Sequence, residues 1–204
     1  EFRRVLFRSD FWDDWNDLYQ AFEICHQWEG VGGPGHWPDA DMLPFGHLAL
    51  RSTERGWGDR WTHFTQDEQI ALMTLWCLFR SPLMVGAELN DNDEFTLNLL
   101  TNDEVLALLS ESRNARQVYR EERYNYAGEV IVWQAENEQG ETYCAVFNCG
   151  PKARKLAVQL SSALGLEGAY TGRDLWAHEE IPVGRALEVE VPSHGARLVK
   201  LTKK

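Results

Sequence analysis

The spacing of apolar positions changes once along this chain, and the change divides it. Between Asp10 and Trp28, Phe11, Trp15, Leu18, Phe22 and Cys25 recur at intervals of four and three, which predicts an amphipathic helix over 10–28. Gly30 to Gly35 end that helix and open a loop. Trp37 to Leu43 reads as a short strand end and turn, and 46–64, which has no period, as a long surface loop. Thr65-x-x-Glu68 is a capping box. It opens a helix to about Phe79 that is apolar on almost every side from Ile70, so it is expected to be buried all round. Pro82 stops it. Leu83 to Val85 reads as a short buried strand and Asp93 to Leu100 as a helix. Thr101-x-x-Glu104 reads as a second capping box before Val105, Leu106, Leu108 and Leu109. After about residue 113 the period becomes two. Strands are predicted over 129–135, 142–148, 155–160, 187–191 and 197–201, several separated by Gly-containing turns, which is the pattern of an antiparallel sandwich.

Two acidic and aromatic clusters stand out against this pattern. One is Gly35-His36-Trp37-Pro38-Asp39-Ala40-Asp41-Met42-Leu43, the other Asp10-Phe11-Trp12-Asp13-Asp14-Trp15. In an extended segment residues i and i+2 share a face, so Asp39 and Asp41 are expected to project to one side of a strand end. An aromatic ring covers the C–H side of a pyranose, and carboxylates accept bonds from its hydroxyls. The grouping therefore suits a sugar; a loop with two solvated Asp residues is the plain alternative.

Together the two clusters resemble glycoside hydrolase family 27, the α-galactosidase (melibiase) family. Its members carry an Asp-x-x-Asp-x-Trp segment and, one helix later, Trp-x-Asp-Pro-Asp-Met-Leu. Here Ala40 stands where the second motif usually has Pro. The likeness continues through Ser81-Pro82-Leu83-Met84-Val85-Gly86 and Asp174-Leu175-Trp176, and it covers nearly all of the chain after residue 9. It implies a (β/α)8 TIM barrel followed by an antiparallel β-sandwich, with the active-site groups at the C-terminal ends of barrel strands. Asp10 would lie just past strand six, Trp37–Met42 would end strand seven, and Leu83–Val85 would be strand eight. The expected division is a partial barrel over 10–113, from the end of strand six to helix eight, and a β-sandwich over 114–204. A complete barrel takes about 250 residues. The 10–204 piece alone is therefore expected to fold poorly or aggregate through its open sheet edge.

The resemblance also implies chemistry. Retaining glycosidases use two carboxyls about 5–5.5 Å apart, one attacking the anomeric carbon, the other protonating the leaving oxygen and then deprotonating water. Asp10 matches the general acid/base, although Asp is also a favoured helix N-cap. An acid in that role must hold its proton near neutrality, and Phe11 and Trp12 are expected to help by excluding water. Asp41 and Met42 match positions lining the sugar pocket, with Asp41 accepting bonds from ring hydroxyls. Asp39 is expected to order the loop, and Trp37 is either a sugar platform or barrel core. The nucleophile, an Asp in a Lys-x-Asp setting on strand four, is absent, because no Lys here is followed in that way. The Arg that the family places four residues before the acid is Leu6 here. The implied function is a fragment of a retaining exo-glycosidase hydrolysing terminal α-galactosides, inactive alone. Related activities on the same scaffold remove α-N-acetylgalactosamine, β-L-arabinopyranose, or isomaltose from dextran (isomaltodextranase). Two other readings stand beside it. One is a catalytically silent carbohydrate-binding barrel; the other is a scaffold whose sandwich docks partners through Trp133 and Trp176.

Glu1 to Ser9 read as translated sequencing-library adapter, since GAG TTC AGA CGT GTG CTC TTC CGA TCT encodes them in frame. They are left out of the fold reasoning. Composition narrows the partners. The net charge is −12, and −14 without those nine residues, which carry three Arg and one Glu. Nucleic acid, whose phosphates need a basic footprint, is not expected. No apolar run is long enough to span a membrane. A carbohydrate is the expected partner, and no cofactor or metal is implied. Cys25 and Cys77 fall on apolar helix faces and read as core thiols; Cys144 and Cys149 are expected to be buried and free. No Cys-x-x-Cys pair suggests zinc. Gly30-Val31-Gly32-Gly33-Pro34-Gly35 fits a nucleotide fingerprint literally, but it follows a helix and Pro34 spoils the helix start. Asp91-Asn92-Asp93-Glu94 lacks the Gly of a calcium loop and reads as a polar turn. Cellular address and oligomeric state stay open, with a secreted or periplasmic location compatible.

Overall fold

The computed structural model describes residues 10–50, 58–121 and 129–204. The first nine residues, Leu6 among them, and the middle of the 46–64 loop lie outside the described residues. The first helix, α1 (Trp15–Gln27), begins five residues later than its apolar spacing predicts. Asp14 is the N-cap, its Oδ1 accepting the Asn16 N–H at 2.8 Å. Phe11 therefore lies outside the helix. Its ring packs on Trp76 (5.1 Å between centroids) and Phe64 (6.2 Å). The helix buries Leu18, Ala21, Phe22 and Cys25.

The segments expected to be strands seven and eight meet through one parallel bridge, Leu43 with Val85. Leu43 N–H donates to Met84 C=O at 2.7 Å, and Gly86 N–H donates to Leu43 C=O at 2.9 Å. Leu83–Val85 is not the buried strand the sequence suggests: Met84 is 60% exposed. A strand with a neighbour on one edge leaves its other edge and a side chain open. The 46–64 segment is also more ordered than a loop. β1 (His47–Leu48) pairs antiparallel with β2 (Arg60–Trp61). Their outer face is fixed by His47, which stacks on Trp61 (5.2 Å, 9° between planes) and bonds both Asp59 and Asp91.

The helix α2 (Gln66–Phe79) has the expected capping box. Thr65 N–H donates to Glu68 Oε2 at 2.8 Å, and Glu68 N–H donates to Thr65 Oγ1 at 3.3 Å. Ala71 to Phe79 are all buried, as a helix apolar all round requires. Arg80 ends it in the left-handed region (φ 61). A 3-10 turn (Leu89–Asp91) leads to α3 (Glu94–Thr101), capped by Asp93, then α4 (Asp103–Leu106) and α5 (Leu108–Glu111). The second capping box does not form. Thr101 stays in α3 with its hydroxyl on Leu97 C=O (2.7 Å), and Asn102 caps α4 in its place. These helices and the parallel bridge are the closing part of a (β/α)8 barrel.

The rest is antiparallel. Strands β3 (Arg113–Arg120), β4 (Val130–Glu136), β5 (Thr142–Asn148), β7 (Tyr170–Asp174), β8 (Glu179–Ile181) and β10 (Ala196–Lys203) form a six-stranded sheet ordered β3-β4-β5-β10-β7-β8. A two-stranded sheet of β6 (Arg154–Gln159) and β9 (Ala186–Val191), with the short helix α6 (Leu160–Leu164), forms the second layer. Alternation assigns the two faces of the larger sheet to two cores. Ile131, Trp133, Tyr143, Ala145, Phe147 and Leu198 belong to the core shared with α1 and α2. Val130, Val132, Cys144, Val146, Val199 and Leu201 pack with Val158, Leu187 and Val191 of the second layer. Trp133 is thus fully buried, which corrects its reading as a docking contact; Trp176 is partly buried and donates from Nε1 to Thr74 Oγ1 at 2.9 Å.

Besides β1 and β2, three strands of this antiparallel part escape the sequence reading. β3 is an edge strand of mostly polar residues, half of them exposed, with register shifts against β4, and β8 has three residues. β7 contains Gly172, where a Cβ would meet Val183 Cγ2 at 2.6 Å, so glycine is what lets this strand pass beneath its neighbours. All four cysteines are free and buried, and burial pushes the Cys77, Cys144 and Cys149 thiols up to about 12.

Helix α4 and strand β7 are tied by Glu104, which takes two bonds of 2.6 Å from Arg173 and one of 2.7 Å from His178. The Arg173 guanidinium holds the Glu104 carboxyl at about 2, against an ordinary value of 4.5. A depressed carboxylate stabilises the fold above its ordinary pKa and loses that contribution as pH falls through its folded value. The melting-temperature difference between the unsubstituted chain and Glu104→Gln is therefore expected to be greatest near neutrality and to shrink as pH falls from about 4.5 toward 2. A difference that stays constant across that window would show that the ion pair is not its source.

Candidate active site

Asp10 is exposed and precedes a tightly held turn. Phe11 N–H donates to Asp41 Oδ2 at 2.7 Å, Trp12 N–H to Asp17 Oδ2 at 3.0 Å, and Asp14 N–H to Trp12 C=O at 2.8 Å. The Phe11 ring points into the core at 1% exposure, so it does not screen Asp10 from water as its adjacency suggests. Because Asp14 caps α1, the N-cap role does not account for Asp10.

Asp41 departs from the extended geometry that would align it with Asp39. Its φ is 75°, left-handed, a conformation Asp tolerates better than most residues. Asp39 Oδ1 accepts the Asp41 N–H at 2.9 Å in a local turn, and Asp41 Oδ1 accepts the Met42 N–H at 2.7 Å. The expected alternation of the two carboxylates is therefore replaced by a turn in which Asp39 serves the backbone. Asp41 is also held through its C=O, which accepts Trp76 Nε1–H at 3.0 Å. Each Asp41 oxygen uses one lone pair on a backbone N–H, leaving capacity for sugar hydroxyls. Met42 lies over Gly86, where a Cβ would approach its Sδ to 2.9 Å. The absence of a side chain there makes room for the thioether at the end of the strand-eight segment.

Asp13, the second acid of the Asp-x-x-Asp-x-Trp segment, carries no assigned role in the sequence, yet it is the most enclosed carboxylate of the cluster, at 5% exposure. Arg60 Nη1 and Nη2 donate to its two oxygens at 2.5 and 2.8 Å, and His63 N–H donates to Oδ2 at 2.7 Å. Burial raises its pKa, but these bonds outweigh burial and hold it below the usual carboxylate value. The β1–β2 hairpin is thereby fastened to the turn that follows Asp10. Trp37 stands apart. The Arg80 guanidinium lies 3.8 Å from its ring centroid. Both line a cavity of about 760 Å3 with Trp28, Pro38 and Ser112, and Asp10, Asp41 and Met42 are not part of that lining. The structure thus brings the Asp10 turn, Asp41 and Met42 together and leaves Trp37 elsewhere. Among the described residues no group of three His, Cys, Asp or Glu side chains is placed to hold a metal, and no helix is long and apolar enough to cross a membrane.

Comparison with known proteins identifies the family. Residues 5–111 match the family model for alpha galactosidase A, and residues 127–201 the model for the alpha galactosidase C-terminal beta sandwich domain. The crystal structure of a GH27 β-L-arabinopyranosidase from Geobacillus stearothermophilus is 48% identical, with a TM-score of 0.87 over 95% of this chain and 43% of that one. A variant of that enzyme was solved in complex with arabinose; it is 47% identical, with a TM-score of 0.88 over 96% of this chain and 44% of that one. An α-galactosidase from Oryza sativa is 26% identical over 95% of this chain and 42% of its own length. The chain spans less than half of each of these relatives. With its barrel segment and its sandwich each matching the corresponding part of one protein family, this chain belongs to glycoside hydrolase family 27, the α-galactosidase family.

Proposed function

We propose that this chain supplies the acid/base side of a retaining exo-glycosidase that removes terminal α-galactosyl units from oligosaccharides or polysaccharides. The observation that carries the reading is the bond from Phe11 N–H to Asp41 Oδ2. It joins the backbone next to Asp10 to the carboxylate matched to sugar binding, so the two act on one substrate. Asp41, with Met42 beside it, holds the ring hydroxyls. Asp10 protonates the glycosidic oxygen as a nucleophilic carboxylate attacks the anomeric carbon on the opposite face. Asp10 then removes a proton from the water that hydrolyses the glycosyl-enzyme, and the anomeric configuration is kept. That nucleophile is not in a Lys-x-Asp of these 204 residues. Asp39 orders the loop beneath. A second reading, hydrolysis of terminal β-L-arabinopyranosides, is favoured by the 48% identity to an enzyme of that name. That sugar has the same ring configuration as α-galactose and lacks only the exocyclic hydroxymethyl group.

The test is a panel of aryl α-galactoside, β-L-arabinopyranoside and α-N-acetylgalactosaminide offered to the full-length product of the source locus, with the first-formed anomer read by NMR. Hydrolysis with retention is expected for the first or second substrate, with no turnover by the 204-residue chain alone. An inverted product would overturn the mechanism. Sugar binding without turnover by the full-length protein would favour a silent carbohydrate-binding barrel.

A further inference from the structure

The turn after Asp10 is bonded to the β1–β2 pair, and one arginine makes the link. Arg60 reaches from β2 to both oxygens of the buried Asp13, three residues beyond Asp10, and His63 N–H closes on the same carboxylate. The hairpin that carries Arg60 is braced in turn from the segment after Val85. His47 bonds Asp91, and Glu88 N–H donates to His47 C=O at 3.0 Å. Phe11 and Trp12 are fixed through their own N–H groups by Asp41 and Asp17. Asp10 therefore stands at one end of a turn whose other end is gripped by Arg60. A bidentate guanidinium–carboxylate pair fixes orientation as well as distance, and a shift of about 1 Å at a reacting group can lower a rate by about a hundredfold.

We infer that Arg60 is a positioning residue for acid/base catalysis: by holding Asp13 it aims the Asp10 carboxyl at the glycosidic oxygen. The inference rests on the role proposed for Asp10. Arg60 itself donates to Asp13 and to Trp61 C=O, and acts on the substrate only through that turn. Lysine cannot reproduce the two-pronged bond, so Arg60→Lys keeps the charge and loses the orientation.

The full-length enzyme is assayed on glycosides of one sugar with leaving groups of falling acidity: dinitrophenol, nitrophenol and a second sugar. Protonation matters little for the first and greatly for the last. Arg60→Gln is expected to lose at least tenfold more kcat/KM on the sugar leaving group than on dinitrophenol, and Arg60→Lys a smaller share in the same direction. Asp10→Ala sets the limit of that pattern. An equal loss across the series, or none, from both Arg60 variants overturns the inference, because a purely structural role has no dependence on the leaving group. If Arg60→Gln does not fold, Arg60→Lys carries the same comparison. If Asp10→Ala itself shows no such dependence, the role proposed for Asp10 fails instead.

Discussion

Asp10→Asn in the full-length enzyme is expected to lower kcat/KM on an oligosaccharide by about 10²–10⁴, equivalent to about 2.7–5.4 kcal/mol of transition-state stabilisation. Asn cannot give up a proton to the leaving oxygen, yet it matches Asp in size. The turn beside it should be undisturbed, since its bonds come from Phe11, Trp12 and Asp14 N–H groups and none requires the Asp10 side chain. The melting temperature should accordingly change little, because an exposed side chain outside the bonded network contributes little to stability. Steady-state kinetics and a thermal melt on the same preparation check both halves. Full activity of Asp10→Asn would remove Asp10 from the mechanism, and a large fall in melting temperature would reassign it to structure.

Trp76→Ala is expected to be the most damaging single change to the fold. Trp76 is fully buried in α2, and removing such a ring costs about 3–5 kcal/mol. It also serves the site twice. Its ring supports Phe11, and its Nε1–H holds the Asp41 C=O in the turn where Asp41 has a left-handed φ. Trp76→Phe separates the two roles. It keeps most of the apolar volume but leaves the Asp41 carbonyl without that donor, so it should cost less stability than alanine while still weakening sugar binding. Chemical denaturation with intrinsic fluorescence, paired with sugar titration of the full-length protein, measures the two effects. If Trp76→Phe binds sugar as the unsubstituted protein does, the Asp41 carbonyl does not depend on that bond.

How far the sequence predicts this arrangement depends on the range of the interaction that decides each part. α2 is legible because everything that fixes it is local: a reciprocal cap at Thr65 and Glu68, then apolar residues on all sides. β5 matches its expected bounds, Thr142 to Asn148, because it is a short, nearly continuous apolar run buried on both faces. The start of α1 is not legible, because Asp10, Asp13 and Asp14 are equal candidates for its cap. What separates them is distant: Arg60 claims Asp13, and Asp41 claims the Phe11 N–H, leaving Asp14 for the helix. The edge strand β3 is hidden by its own polarity. At the site, motif spacing already pairs the Asp10 turn with Asp41. Arg60 is invisible because it sits in a stretch without period and its partner is 47 residues away. Trp37 is a sequence neighbour of Asp39 and Asp41, yet its ring faces Arg80, a partner 43 residues away that spacing does not reveal.

The six-stranded sheet with a core on each face has a consequence for anyone who would treat the sandwich as a detachable module. Its inner surface, with Trp133, Tyr143, Phe147 and Leu198, shares one core with α1, α2 and the helices that follow them. A cut near residue 112 would leave that surface wet on one product and strip the helices of their floor on the other. Recombining family members at this junction should therefore succeed when the exchanged piece carries the matching helix faces with it, and produce insoluble chains when the crossover respects only the linear boundary.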